Sequence, residues 1–256
     1  MKTVSHHGRE TAYRRTDFGD AGQPICYVHG SGGTHRVWTG IYGRRANTRP
    51  AVALDLSGHG ESDDIDAEPG FSTLAAYADD VLAVVEETGA SVLVGNSLGG
   101  AVILHLLVER DVELEAAVLA GTGAKLSVLD DLLRWLDDDY ERAVEFLHGE
   151  DMLFHDTTST VVDHSKATMN AVGSAVTERD FRTCHRFDVR DQLDNVETPT
   201  LALVGEYDRL TPVSYHEYLV EHMPNATLAM IEDAAHLAMI EQPAAFANAI
   251  ERFLAQ

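Results

Sequence analysis

Lysine is nearly missing from this 256-residue chain. Of its 19 basic residues only three are lysines, at positions 2, 125 and 166, which leaves sixteen arginines against 42 aspartates and glutamates. The formal net charge is -23. A charge of that sign argues against nucleic acid as a partner, because phosphate recognition calls for the opposite sign. Cysteine is scarce as well: Cys26, in an apolar run, and Cys184, far along the chain, make no disulfide framework and read as reduced structural thiols. No apolar run approaches the roughly 18 residues that a membrane span requires. The opening segment, Met1 to Asp20, is polar and charged with no apolar signal-peptide core. The expectation is a soluble, cytoplasmic protein with no membrane partner. Thirteen histidines are present, yet none are grouped at zinc-ligand spacing. The adjacent His6 and His7 would point to opposite faces of a strand. Neither a metal nor a cofactor is expected, and the chain has no internal repeat or low-complexity tract.

The acid that dominates the composition is spread out, in clusters such as Asp63-Asp64, Asp79-Asp80, Asp130-Asp131 and Asp137-Asp138-Asp139. Such a surface stays hydrated in salt but repels itself where screening is weak. The composition resembles that of proteins from salt-accumulating organisms. A local trap for a cationic substrate would need one cluster, and the even spread argues against it.

Apolar runs alternate with helical patterns in the order expected of a mostly parallel sheet with helices on both faces, the α/β class. Strands are predicted at Ile25 to His29, Ala51 to Leu56, Ser91 to Asn96, Ala116 to Ala120, Leu201 to Val204 and Ala226 to Ile231. Helices are predicted at about Val37 to Arg45, Leu74 to Thr88, Leu98 to Glu109, Val213 to His222 and Pro243 to Leu254. Thr3 to Asp17 could supply an antiparallel pair at the sheet edge. From about Ala124 to Arg190 the alternation stops: no strand is evident, and Leu126 to Leu136 and Tyr140 to Leu147 carry apolar residues at helical spacing. That stretch is too long for a simple connection. The expected organisation is a core of residues 1–123 plus 191–256, with an inserted helical cap of residues 124–190 over the carboxyl edge of the sheet, where ligands of open α/β sheets bind.

One hexapeptide carries chemistry. Gly95-Asn96-Ser97-Leu98-Gly99-Gly100 follows the apolar run Ser91-Val92-Leu93-Val94 and precedes an apolar helical stretch. A strand turning sharply into a helix around one serine describes a nucleophile elbow. Glycines at 95 and 99 are needed where a Cβ would collide with the neighbouring strand or helix. A helix starting at Leu98 aims free N–H groups at the place where an oxyanion would form.

Four further motifs follow in order: His29-Gly30-Ser31-Gly32-Gly33 after an early strand, Asp55-Leu56-Ser57-Gly58-His59-Gly60-Glu61-Ser62, Gly205-Glu206-Tyr207-Asp208 after a late strand, and Asp233-Ala234-Ala235-His236 before the last helix. With the elbow, these resemble the α/β-hydrolase superfamily from about Ile25 to Leu254. The resemblance implies an α/β-hydrolase fold and a triad in the order Ser97, Asp208, His236. A serine hydroxyl needs a base to take its proton, imidazole titrates in the useful range, and a carboxylate fixes the imidazole tautomer. Some relatives carry the acid after the preceding strand, but that position here reads Gly121-Thr122-Gly123. The resemblance places the oxyanion hole at the N–H groups of Leu98 and Ser31, with Gly32 the alternative to Ser31. It places Gly32, His35 and Asn96 in the substrate pocket and makes His59 structural and His29 a loop brace. His35 and Trp38 either line the pocket or pack beneath it.

Departures from the family pattern narrow the function. Serine at the elbow excludes the branches that need aspartate there. Ser57 stands where many members have proline, a change read as one of stiffness, and Ala235 stands where glycine is usual. Leu237 after the base departs from relatives that cleave carbon–carbon bonds, whereas Asn96 resembles them. The expected function is a serine hydrolase of small or medium carboxylic esters. Carbon–carbon hydrolysis of ring-fission products is the alternative, and a hydrolase-like ligand sensor is the alternative from another class.

Overall fold

A charged hairpin of β1 (Lys2–His6) and β2 (Arg9–Thr16) borders a sheet whose inner strands are almost wholly apolar. In the computed structural model, which describes residues 1–19, 22–43, 49–110 and 112–256, the inner strands are β3 (Ile25–Val28), β4 (Ala51–Leu54), β5 (Val92–Asn96), β6 (Ala116–Ala120) and β7 (Thr200–Gly205). The far edge is β8 (Ala226–Ile231). The order is β1-β2-β4-β3-β5-β6-β7-β8. Strand β2 runs antiparallel to β1 and β4, and every other pairing is parallel. Every position of β3 to β7 is buried, which a parallel strand achieves only with cover on both faces.

The cover is helical. In chain order the helices are α1 (Thr39–Tyr42), α2 (Phe71–Thr88), α3 (Leu98–Glu109), α4 (Asp130–Asp138), α5 (Tyr140–Leu147), α6 (Ser159–Val172), α7 (Ser174–Arg186), α8 (Val213–His222), α9 (Ala238–Glu241) and α10 (Pro243–Leu254). Alternation along the strands splits the core in two. Cys26 and Val28 join the cluster built with α2, α3 and α8, while Ile25 and Tyr27 join the one built with α1, α9 and α10. Helix α3 is apolar all round and buried from Leu98 to Leu106, as its place against the sheet requires.

Between β6 and β7 lie α4 to α7, with only isolated bridges, Lys125 to Asp188 and Glu150 to Phe154, among the described residues. Helix α7 packs against α4 and α6 and also against α2 and α3 of the sheet layer. Leu132 and Leu136 turn inward from α4, and Asp130 and Asp131 occupy its first turn, where they complement the helix dipole.

Several expectations needed correction. The helix predicted at Val37 to Arg45 is a 3-10 turn, His35–Trp38, followed by the single turn of α1. Glycines at 40 and 43 weaken any longer helix, and positions 44 and 45 lie outside the described residues. Helix α2 starts three residues early, at an exposed Phe71 that an apolar stripe gives no reason to include. The helix predicted from Leu126 begins at Asp130, because Leu126 instead donates its N–H to Phe187 O. His6 and His7 do not diverge: β1 ends at His6, His7 turns with φ 47°, and their Nδ1 atoms lie 3.3 Å apart.

Candidate active site

Chain order in the sheet reverses between β3 and β5: β3 leads to β4 on one side, while β5 lies on the other. A crevice opens at the carboxyl ends of strands at such a point. Ser97 stands there, between β5 and α3, with φ 55° and ψ -117°. A non-glycine residue in that region is strained and is held only by its surroundings. Here Ser97 N–H donates to Ala120 O at 2.9 Å, and Ser97 O accepts from Thr122 Oγ1 at 2.9 Å. A Cβ at position 95 would lie 2.5 Å from the Gly99 backbone, and one at position 99 would lie 2.4 Å from Val28 O. Both elbow glycines are therefore steric necessities.

Loops after β7 and β8 bring Asp208 and His236 together. His236 Nδ1–H donates to Asp208 Oδ2 at 2.9 Å, with both residues buried. Burial opposes the Asp208 carboxylate, but the charge and hydrogen bond of His236, with the bonds of Thr211, hold its pKa below the ordinary value. Thr211 completes the cradle: its hydroxyl donates to Oδ2 at 2.8 Å and its N–H to Oδ1 at 2.8 Å, and Leu210 N–H adds a bond at 2.9 Å. The other position open to the acid is closed. Gly121 has φ 53°, and a Cβ there would lie 3.2 Å from His236 Nδ1 and 3.3 Å from Asp208 Oδ2.

Ser97 and His236 face one cavity of about 1150 Å³. Ser31, Gly32, His35 and Asn96 line it too. Leu98 is fully buried at the first turn of α3. The loop Gly30 to Gly33 closes as a turn, Gly33 N–H to Gly30 O at 3.1 Å, and packs against Ser97 Cβ. Gly32 N–H donates to Asp180 Oδ2 at 3.3 Å, which leaves Ser31 N–H as the neighbouring donor of that loop. Asn96 Nδ2 bonds Ala120 O and His236 O, while its buried Oδ1 has no partner among the described residues. His35 is fixed by Asp55, which accepts from its N–H at 2.7 Å and its Nδ1 at 2.9 Å. Trp38 does not reach the cavity; it packs on Tyr27 and Phe246.

Between β6 and β7 the chain lines the cavity mainly with apolar residues such as Leu129, Leu132, Phe146, Val161, Met169 and Phe181, together with the polar Ser127, His164, Ser165 and Thr168. His29 donates through Nδ1 to Gly30 O and accepts Leu56 N–H at Nε2, and burial lowers its pKa to about 4, so it is a neutral brace. His59 bonds Ser57 O and Asp180 inside the protein. Ser57 is more than a softer proline. Its N–H and hydroxyl both donate to buried Asp80, at 2.8 and 2.9 Å, and proline has neither group.

Sequence reading missed three residues that shape the site. Thr211 was readable, since an aspartate with a threonine three residues on is a common side-chain-capped turn. Glu241, which accepts the N–H groups of Ala235, His155 and Asp156, had no local signal. Asp180 had none either. Among the described residues, no group of three or more His, Cys, Asp and Glu is arranged to hold a metal, and no helix is long and apolar enough to cross a membrane.

An elbow serine at the switch point of a mostly parallel sheet, lining one cavity with the histidine of a histidine–aspartate pair from two later loops, defines a class. The chain belongs to the alpha/beta hydrolase family, which its residues 27–249 match. It is 30% identical to a solved thermophilic esterase, with a TM-score of 0.86 over 99% of this chain and 96% of that one. It is 26% identical to the pimeloyl-[acyl-carrier protein] methyl ester esterase of Neisseria meningitidis, over 94% of this chain and 96% of the relative. It is also 26% identical to the 2-hydroxy-6-oxo-6-(2'-aminophenyl)hexa-2,4-dienoic acid hydrolase of Metapseudomonas resinovorans, over 99% and 90%.

Proposed function

We propose that this protein is a serine hydrolase that cleaves carboxylic esters of small or medium size through an acyl-enzyme on Ser97. The observation that carries the reading is the buried Asp208–His236 pair opening onto the same cavity as a serine held at positive φ. With Nδ1 committed to Asp208, Nε2 of His236 takes the proton of Ser97 as Oγ attacks the ester carbonyl. The N–H groups of Leu98 and Ser31 receive the oxyanion, a role worth about 3 kcal/mol per donor. Collapse of the intermediate expels the alcohol, which takes the proton from His236. Water, deprotonated by the same histidine, attacks the acyl-enzyme and releases the acid. Residues 1–123 and 191–256 supply this chemistry. Residues 124–190 act as the cap that roofs the pocket and sets substrate size. The relatives named as esterases support the bond class, and the cavity volume leaves room for more than a short acyl chain.

The test is turnover of a chromogenic short-chain ester in molar salt, with fluorophosphonate labelling. Ser97→Ala should lose about 10⁴-fold or more in kcat and all labelling. Persistent turnover in that variant defeats the mechanism. A second reading, carbon–carbon hydrolysis of a vinylogous diketone, draws on Asn96, whose buried, unpartnered Oδ1 adjoins the nucleophile. Bleaching of such a coloured substrate at a rate far above that for esters selects it.

A further inference from the structure

Asp180 lies on α7, in the stretch between β6 and β7, yet its carboxylate is fully buried against the loops of the sheet. Oδ1 accepts the hydroxyl of Tyr77 at 2.7 Å. Oδ2 accepts Nε2–H of His59 at 2.9 Å and the backbone N–H of Gly32, 148 residues away in the chain, at 3.3 Å. A buried carboxylate needs its donors, so these bonds define its position closely. Tyr77 and His59 would suffice to hold α7 down; the third donor belongs to the loop beside Ser97.

That loop needs an anchor. Its residues 30, 32 and 33 are glycines, so the backbone has little stiffness of its own. The Gly32 N–H belongs to the peptide plane that follows Ser31, and this plane meets the preceding one, whose N–H is that of Ser31, at Ser31 Cα, so holding it limits the second plane to the φ/ψ choices of a single residue. Other contacts from the same helices converge on these two residues. Ser31 Oγ lies 3.8 Å from Cys184 Sγ on α7, and Met169 Cγ on α6 lies 3.0 Å from where a Gly32 Cβ would stand.

We propose that Asp180 is a positioning residue for the oxyanion hole: it seats the Ser31–Gly32 peptide so that Ser31 N–H faces the Ser97 site, and thereby ties transition-state geometry to the seating of α7. The inference rests on the oxyanion role given to Ser31 above. His59 reinforces it. Its two ring nitrogens face two acceptors, Ser57 O and Asp180 Oδ2; burial disfavours the imidazolium, but the charge and hydrogen bond of Asp180 outweigh that and raise the His59 pKa.

The experiment compares wild type, Asp180→Ala, Asp180→Asn and Tyr77→Phe in hydrolysis of p-nitrophenyl acetate, in binding of phenylboronic acid as an oxyanion mimic, and in thermal denaturation. Misplacement of a reacting group by about 1 Å costs on the order of 10²-fold. Asp180→Ala is therefore expected to lose about 10- to 100-fold in kcat with KM within about threefold, and boronate affinity is expected to fall in parallel. Asp180→Asn, which preserves volume, is expected to lose about three- to tenfold, and it decides the question alone if the alanine variant does not fold. Tyr77→Phe removes the donor on the other oxygen and leaves the Gly32 contact in place; it is expected to lower Tm and to cost less in kcat than either Asp180 variant. Asp180 variants that fold with kcat and boronate affinity within about twofold of wild type overturn the proposal, as does a kcat loss in Tyr77→Phe as large as that in Asp180→Ala. Wild type that neither turns over the ester nor reacts with a fluorophosphonate overturns the oxyanion reading as well. Wild-type turnover with unaffected variants overturns only the positioning role.

Discussion

The loops at the carboxyl ends of β3, β5, β7 and β8 and the helices between β6 and β7 enclose the same cavity, but they are specified in opposite ways. In the loops, backbone geometry dictates identity: a Cβ at 95 or 99 meets main-chain atoms at about 2.5 Å or less, and Asp208 is met by two N–H groups, a hydroxyl and an imidazole. In the helices, Asp180 of α7 apart, the constraint is the amphipathic stripe. Leu132 and Leu136 are needed as apolar volume, and comparable volumes fill such a place nearly as well. The chemistry is thus rigidly defined while the wall is adjustable.

The sharpest way to break this contrast is Asp208→Asn. It keeps the shape of the site but loses the acceptor that sets the His236 tautomer, and kcat for a short ester should fall about 10³- to 10⁴-fold. A fall of less than about tenfold, read in the same ester assay, would place the chemistry elsewhere. On the adjustable side, Leu129→Trp should narrow the mouth and Phe146→Ala should widen the wall. Leu129 is 61% exposed and Phe146 is only half-buried, in a tilted contact with Trp135, so neither change should unfold the protein. Each should shift the ratio of kcat/KM for octanoate over acetate esters by about tenfold, in opposite directions. Equal changes for both esters would mean that the helices do not select substrate.

The smallest effect concerns the bond between the two regions. The folded pKa of His59 is raised, so the stability it contributes is complete below the unfolded value of about 6.5 and is lost as pH rises through the folded value. Of the neighbouring groups, His29 is held near a pKa of about 4, Tyr77 is raised well above its usual value, and Arg179 stays charged, so none of them titrates in that window. Denaturant unfolding from pH 6 to 9 should show a decline that His59→Gln makes shallower, the remainder including His155, whose pKa Asp151 also raises. An unchanged slope in that variant would assign the decline to another group.

What could be read from the sequence follows the same division. Strands β6 and β8 and helices α3, α8 and α10 match their predicted limits, because punctuation stands at their ends; Pro243, at the first position of α10, is one such mark. Helices α6 and α7 were not separated beforehand. Gly173, with φ 91°, divides a stretch whose polar residues blur the stripe. Ser97, Asp208 and His236 are legible because each sits at a strand end with its own local turn. Asp180 and Glu241 are not, because their meaning lies in backbone N–H groups far along the chain, and those leave no mark on residue identity.

Gly121 has a bearing on how such a site can change over generations. The space in front of it is the space that the Asp208 carboxylate and the His236 ring already share. A chain with acids at both places would crowd two like charges into one site, where each opposes ionisation of the other. An acid moved to that loop is therefore best accommodated when position 208 gives up its own carboxylate.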